Sequence, residues 1–397
     1  MEKRENSNVS TTKYLMLLLR NVVFAEPLPE DFAPDEELWQ EIHALAKRHH
    51  LSHLVEAAVK RSRLPINLGT AHMDQAIVRY VRRDYVSNQV RTTLKTAGIP
   101  FIFLKGAVLQ TYYPEAWMRT SSDIDVLVRS SDIDAAVHAL CEAAGFRRGE
   151  VAAHDIQLIS QSNVSLELHH RLIMPEAFPR AAEVLDSLWT VATPIDGESC
   201  EYRMPETYFY LYHIAHMMKH FRNGGCGIRF FLDLKLMRQQ GGFDDKACKA
   251  LVEQCGMLPF AEAVEKLAEA WFGAGDIAGL ETMENYVLSG GIYGTIHNSV
   301  AVQQEKDGRS GYLLHRFFPP YDRMKYEHPI LQKHRWLLPY FWGRRLLRLC
   351  SASVRRRVLH EYRVGREKKK EGFDDLSSMM KQLGMDESMT TPTDNHE

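Results

Sequence analysis

The stretch Asp123-Ile124-Asp125-Val126-Leu127-Val128 limits the fold more than any other segment, because a folding core does not ask for two carboxylates inside an apolar run. On a strand, side chains at i and i+2 share a face, so Asp123 and Asp125 converge while Ile124 and Val126 turn into a core. The segment therefore calls for a sheet with one apolar face and one face that carries acids. Such a pair is a ready site for a hard divalent cation such as Mg²⁺ or Mn²⁺, which takes carboxylate oxygens and keeps other positions for water and phosphate. Phosphoryl or nucleotidyl transfer is the first chemistry to consider. Taken alone, the spacing also fits a strand end meeting a turn.

The surroundings favour the chemical reading. Upstream, the apolar run from Gly98 closes on Lys105-Gly106 and continues into Ala107-Val108-Leu109-Gln110, which reads as strand, tight turn and helix start. Gly106 allows a close approach of the backbone to a ligand, Lys105 adds a mobile positive charge, and the N–H groups opening the next helix favour an anion. Arg119, Ser121 and Ser122 stand just before the aspartates, so donors for phosphate oxygens flank the acids on both sides. Downstream, Asp132 to Gly145 reads as a helix with Ile133, Val137, Leu140 and Cys141 on its inner face. Two strands are expected next, 155–159 and 163–170. In the second, Val164, Leu166 and Leu168 point one way, and Ser165, Glu167 and His169 the other. Glu167 supplies the third carboxylate that two cations roughly 3.5–4 Å apart need. The solvent face of an edge strand would give the same alternation.

These residues resemble a known family, the uncharacterised bacterial nucleotidyltransferases of the polymerase-β-like superfamily. Leu104-Lys105-Gly106, Tyr113-Pro114, Arg119, Asp123-Ile124-Asp125 and Glu167-Leu168-His169 carry the likeness. It extends over most of the chain through His216-Met217-Met218-Lys219-His220, Arg229 to Asp233, Phe318-Pro319-Pro320 and Leu337-Leu338-Pro339. The resemblance implies an α+β fold: a polymerase-β-like nucleotidyltransferase palm, a mixed sheet with helices, flanked by helical regions. It implies that Asp123, Asp125 and Glu167 hold Mg²⁺ or Mn²⁺, with His169 beside them in the catalytic set. An NTP would be the substrate, its triphosphate met by Lys105 and Arg119 with Gly106, Ser121 and Ser122 close by. His216 and His220 would face the palm across a cleft and touch phosphate or the acceptor. Two departures stand out: the superfamily's common Gly-Ser turn is Lys105-Gly106 here, and Glu167 stands where aspartate is more usual.

Length and composition agree with a folded enzyme. At 397 residues and 45% hydrophobic content the chain can bury large cores in two or three domains. The expected divisions are an N-terminal helical region at 1–83, the palm at 84–194, a helical domain at 195–310, and a last segment at 311–397. That segment combines aromatic and proline-rich sequence, a basic helix and a disordered end. A net charge of -2 gives no overall pull toward nucleic acid or membrane. The apolar run Tyr14 to Leu19 is too short to span a bilayer and lacks a cleavage site beside it, so the chain reads as cytoplasmic. The 6 cysteines have no Cys-x-x-Cys spacing and read as reduced thiols.

Histidines form two groups. His49, His50 and His53 read as a polar helix junction, since no carboxylate or cysteine completes a ligand set. His213, His216 and His220 share one face of a helix, yet Met217 follows His216 where a zincin needs glutamate. A structural cluster packing two helices is the other reading of this face. Gly224-Gly225-Cys226-Gly227 reads as a loop, and Arg229 with Asp233, four apart on the next helix, as a surface pair. The tail carries Arg344, Arg345 and Arg348, then Arg355 to Arg357, Arg363, Arg366 and Lys368 to Lys370. This basic stretch suits an anionic partner such as RNA or a lipid surface, or is a solvated terminal helix. The reading that unites these features is metal-dependent transfer of a nucleoside monophosphate from an NTP to an unknown small-molecule, protein or RNA acceptor. The alternative is a catalytically silent nucleotide-binding or regulatory module with a retained palm.

Overall fold

The computed structural model describes residues 2–291 apart from 67, 153, 196–199 and 241, then single positions and short segments between 318 and 348, and 373–385. The basic stretch at 349–372 lies outside the described residues, as does Cys350. The helices that matter here are α1 (Glu2–Phe24), α2 (Glu36–Arg48), α3 (Ser52–Ser62), α4 (Ala71–Thr96), α5 (Lys105–Leu109), α6 (Ile133–Ala144), α7 (Pro179–Asp186), α8 (Glu206–Arg222), α9 (Ile228–Gln239), α10 (Asp245–Gln254), α11 (Leu258–Phe272) and α12 (Glu281–Gly290). The strands are β1 (Phe101–Phe103), β2 (Asp123–Val128), β3 (Arg147–Val151), β4 (Asp155–Ile159), β5 (Ser165–His169), β6 (Thr193–Pro194) and β7 (Glu201–Arg203). They form one mixed sheet in the order β3-β4-β5-β2-β1-β7-β6.

The centre of the sheet is its chemically important part. β2 and β5 run parallel, with Asp125 opposite Glu167 and Leu127 opposite His169. β1 lies antiparallel on the other side of β2, and β4 antiparallel on the other side of β5. Alternation then sorts the faces. Ile124, Val126, Leu166 and Leu168 enter a core with Phe101 and Phe103, closed by Val86, Val90 and Leu94 of α4 and by Ala136, Val137 and Leu140 of α6. The opposite face carries the acids. Gly145, at φ 69°, ends α6 in the left-handed region that favours glycine.

The larger core is helical. α1, α2 and α3 contribute Leu15, Leu18, Ile42 and Leu54, while α8, α9 and α11 contribute Phe221, Phe231, Phe260 and Phe272. α2 shows why such a helix forms where it does: Asp35 caps it by accepting from the Leu38 N–H at 2.9 Å, and Trp39, Ile42, Leu45 and Ala46 make one buried stripe. Among the described residues no helix is long and apolar enough to cross a membrane.

Two features depart from the sequence reading. β3 is an exposed edge strand with no apolar alternation to announce it. The pair β6 and β7 extends the sheet beyond β1, where Glu201 accepts an ion pair from Arg91 at 2.8 Å.

His49 and His53 are buried and stitch the helical region together. His49 Nδ1 accepts from the Ile228 N–H at 3.3 Å, and its Nε2 donates to the Leu288 carbonyl at 3.2 Å. His53 Nε2 donates to the Met118 carbonyl at 2.8 Å. Burial lowers both imidazoles to about 4, offset only in part by these carbonyls. A base whose folded pKa lies below its ordinary value makes the unfolded chain bind more protons between the two values, so stability falls as pH drops from about 6.5 toward 4. Each ring should contribute on the order of 3 kcal/mol to that loss. Urea unfolding at pH 7.5 and pH 5 should show it, and His53→Gln should flatten the dependence. A slope unchanged by that substitution would remove His53 from the account.

Candidate active site

Between the acid-bearing face of the sheet and helices α8 and α9 lies a cleft of about 740 Å³. Asp123, Asp125, Glu167 and His169 form its floor, and His216 and His220 line the α8 side. Arg79, Arg82 and Arg83 of α4 border it, with Lys219 and Arg229. All the sequence-predicted residues except the buried Gly106 line this one space, although their partners differ from those expected.

Asp125 is the most buried acid of the group, 3% exposed. Its Oδ1 accepts from Lys105 Nζ at 2.8 Å and lies 3.0 Å from His169 Nε2. A carboxylate in this role accepts, so the proton sits on Nε2 of His169. His169 Nε2 is also 3.5 Å from Glu167 Oε2. Burial alone would raise the Asp125 carboxyl, but the Lys105 ammonium and the His169 imidazole hold it well below the usual carboxylate range. Burial likewise works against the charged forms of Lys105 and His169, and the facing carboxylates, Asp125 first, raise both above their ordinary values. Asp123 is raised, by burial and then by the like charges of Asp125 and Glu167. One ligand atom each from Asp125, Glu167 and His169 lie within 4.8 Å of one another, a spacing at which a cation can be held.

Lys105 opens α5 with φ 39°, a left-handed conformation that strains a residue with a side chain. The next residue explains why glycine follows. A Cβ on Gly106 would lie 2.6 Å from Ser121 Oγ and 2.8 Å from Arg119 Nη1. The close approach anticipated at Gly106 is thus made by the protein's own loop, and α5, at 5 residues, is a single short turn.

Arg119 is 6% exposed and pairs with the fully buried Asp233 of α9, Nη2 to Oδ2 at 2.9 Å and Nε to Oδ1 at 3.3 Å. Tyr113 donates to the same Asp233 Oδ1 at 2.8 Å. Burial opposes this charge pair, but its mutual attraction and hydrogen bonds raise Arg119 and lower Asp233. The expected surface pairing of Arg229 with Asp233 is corrected here. Asp233 belongs to Arg119, and Arg229 donates to the Thr120 carbonyl at 2.6 Å, because the two side chains face different parts of the loop before β2. Arg119 Nη1 also donates to Ser121 Oγ at 3.1 Å, and Arg83 Nη1 to the Ser121 carbonyl at 3.3 Å. Ser122 lines the cleft directly.

On α8, the Nε2 atoms of His216 and His220 are 3.1 Å apart, with rings edge to face at 4.6 Å. Burial first, then neighbouring cations, lowers His216 far below its ordinary value and His220 to about 4. Both are neutral near pH 7. His213 instead turns inward, 3.2 Å from the Phe230 carbonyl. Sequence reasoning missed the role of Tyr212, which lies buried against Lys105, and of His154, which enters the cleft from the residue before β4. Neither sits in a pattern that marks it out.

A family described as "Uncharacterised nucleotidyltransferase" matches residues 35–273, a span that contains every residue of this cleft. No curated protein and no solved structure matches the chain.

Removing one partner of a buried ion pair leaves the other charge without compensation, at a cost of about 3–5 kcal/mol. Asp233→Ala should therefore lower unfolding stability by that amount, and Tyr113→Phe by only about 1 kcal/mol. Chemical denaturation measures both. A loss below about 1 kcal/mol for Asp233→Ala would mean that Arg119 reaches water without it.

Proposed function

This chain belongs to the family of uncharacterised nucleotidyltransferases, and from that premise we propose that it moves a nucleoside monophosphate from an NTP to an acceptor on a polymerase-β-like palm. An acceptor oxygen attacks the α-phosphorus, the bond from that phosphorus to the β-phosphate bridging oxygen breaks, and pyrophosphate leaves. The observation that carries the reading is the pairing of Asp125 with Glu167 across two central parallel strands, beside Asp123 and at the floor of a cleft bordered by cations. Phosphoryl transfer asks for positioning and charge neutralisation more than for covalent chemistry by the protein, and this cleft offers that set of groups.

The donor set fits a divalent cation. Asp125 and Glu167 bring ligand atoms together with His169, and Asp123 beside them is displaced upward by burial first and then by the like charges of Asp125 and Glu167, a repulsion that a cation would relieve. Asp123, Asp125 and Glu167 would hold Mg²⁺ or Mn²⁺. When bound, such an ion neutralises phosphate charge and lowers the pKa of a coordinated oxygen nucleophile.

The remaining roles belong to the chain's own groups. His169 is a positioning residue that fixes the Asp125 carboxylate through its Nε2–H. Lys105 offers an ammonium beside the acids for phosphate oxygens. Arg119 acts through the loop: its buried pair with Asp233 anchors the entry to β2, while Arg79, Arg82 and Lys219 present charge along the cleft. His216 and His220, kept neutral by burial, are placed to meet the acceptor or a phosphate without adding charge.

Asp123→Asn and Glu167→Gln should each slow pyrophosphate release by at least about 10²-fold, while NTP affinity changes little, since charge stabilisation is lost where it matters for the reacting centre. Steady-state turnover and calorimetric binding decide this together. Near-wild-type turnover in either variant, or a loss confined to affinity, would contradict the assignment. Lys105→Ala should weaken ATP binding by about tenfold or more, the worth of a charged hydrogen bond, and leave adenosine binding nearly unchanged. Equal losses for the two ligands would make Lys105 a structural residue.

A further inference from the structure

His169 has a second ring nitrogen that the site described above does not use. Its Nε2 faces Asp125 and Glu167, whereas its Nδ1 is buried and has no hydrogen-bond partner among the described residues. The ring is 2% exposed, so water offers little compensation for that lone pair. A buried polar atom left alone needs an explanation, and the neighbouring strand supplies one.

β4 pairs with β5 so that Asp155 stands opposite His169, and His154 precedes it. The His154 carbonyl accepts from the His170 N–H at 3.1 Å, which fixes this end of the two strands. His154 Nε2 is 3.1 Å from Asp155 Oδ2, and the His154 and His169 rings are 5.8 Å apart at 37°. One ligand atom each from His154, Asp155 and His169 lie within 4.8 Å of one another. Ligand atoms about 2.0–2.2 Å from a common tetrahedral ion are separated by roughly 3.3–3.6 Å, so small side-chain rotations close the set.

We propose that His154, Asp155 and Nδ1 of His169 form a second metal site, distinct from the carboxylate set and suited to Zn²⁺. Two imidazoles and one carboxylate select a borderline first-row ion over Mg²⁺, which prefers oxygen alone. Three protein ligands leave a fourth position, and the side chains of His154 and Asp155, 25% and 13% exposed, open that position to the cleft. The remaining Nε2–H of His169 donates to Asp125, an arrangement in which a carboxylate orients a metal-bound histidine. The ion would therefore lock His169 and, through it, Asp125. This site stands whether or not the chain transfers nucleotides.

The test is Zn²⁺ binding to the metal-stripped full chain by calorimetry, with Co²⁺ absorption as the spectroscopic readout of a nitrogen-containing, low-coordinate site. One Zn²⁺ per chain is expected. His154→Gln and Asp155→Asn should each weaken it by more than about tenfold, the loss that even an outer partner of a metal ligand can produce. Glu167→Gln should keep both the stoichiometry and the Co²⁺ spectrum. Thermal unfolding of the metal-free variants controls for folding. Absence of Zn²⁺ uptake by the wild type, retention of full affinity in His154→Gln, or loss in Glu167→Gln would overturn the proposal. None of these readouts depends on turnover, so a failure of nucleotidyl transfer leaves this result intact.

Discussion

The in-register parallel pairing of β2 with β5 is the constraint on which the cleft depends. Because side chains alternate along a strand, a slip of β2 by one residue would carry Asp125 into the core and turn Ile124 and Val126 toward water, and a slip of β5 would do the same to Glu167, Leu166 and Leu168. Burial of those four side chains against α4 and α6 therefore does two things at once. It stabilises the sheet, at about 1.5–3 kcal/mol for each large apolar side chain, and it forces the acids onto the opposite face. The chemistry of the site is positioned by apolar packing that never touches it.

Placing acids there creates a charge problem that the surrounding elements answer. Lys105 from the turn after β1 and His169 from β5 converge on one oxygen of Asp125. Behind them Arg119, Asp233 and Tyr113 form a dry network joining the loop before β2 to α9. Buried pairs of this kind contribute little net stability compared with an apolar replacement, and they specify geometry through the cost of breaking them. The network thus explains how α9 and the sheet keep a fixed relation across the cleft. It also explains Gly106, whose missing side chain leaves room for Ser121 and Arg119.

Much of this was legible in the sequence, and the rest fails for identifiable reasons. The Asp123–Val128 and Ser165–His169 alternations have a period of two, so their faces and their convergence follow from local pattern. The helix ending at Gly145 follows from amphipathic spacing and a glycine in the left-handed region. By contrast, Arg119 and Asp233 are separated by 114 positions, and no local period links them. The four-residue spacing of Arg229 and Asp233 suggested the wrong partner for Asp233, because helical proximity says nothing about what lies across a cleft. β3 has no apolar alternation, since an exposed edge strand buries nothing. His154 escaped notice because its meaning comes from strand pairing, which sets Asp155 beside His169.

The central claim is that the acids on the sheet face serve attack at the α-phosphorus of a nucleotide. Its most direct measurement follows the label from NTPs carrying ³²P at either the α or the γ position, incubated with the full chain, Mg²⁺ or Mn²⁺ and a cell extract as the source of acceptor. The account predicts that a macromolecule or small molecule acquires label from the α position alone, and that Asp125→Asn abolishes the transfer. Label acquired from the γ position, or equal α labelling with the wild type and with Asp125→Asn, would contradict it.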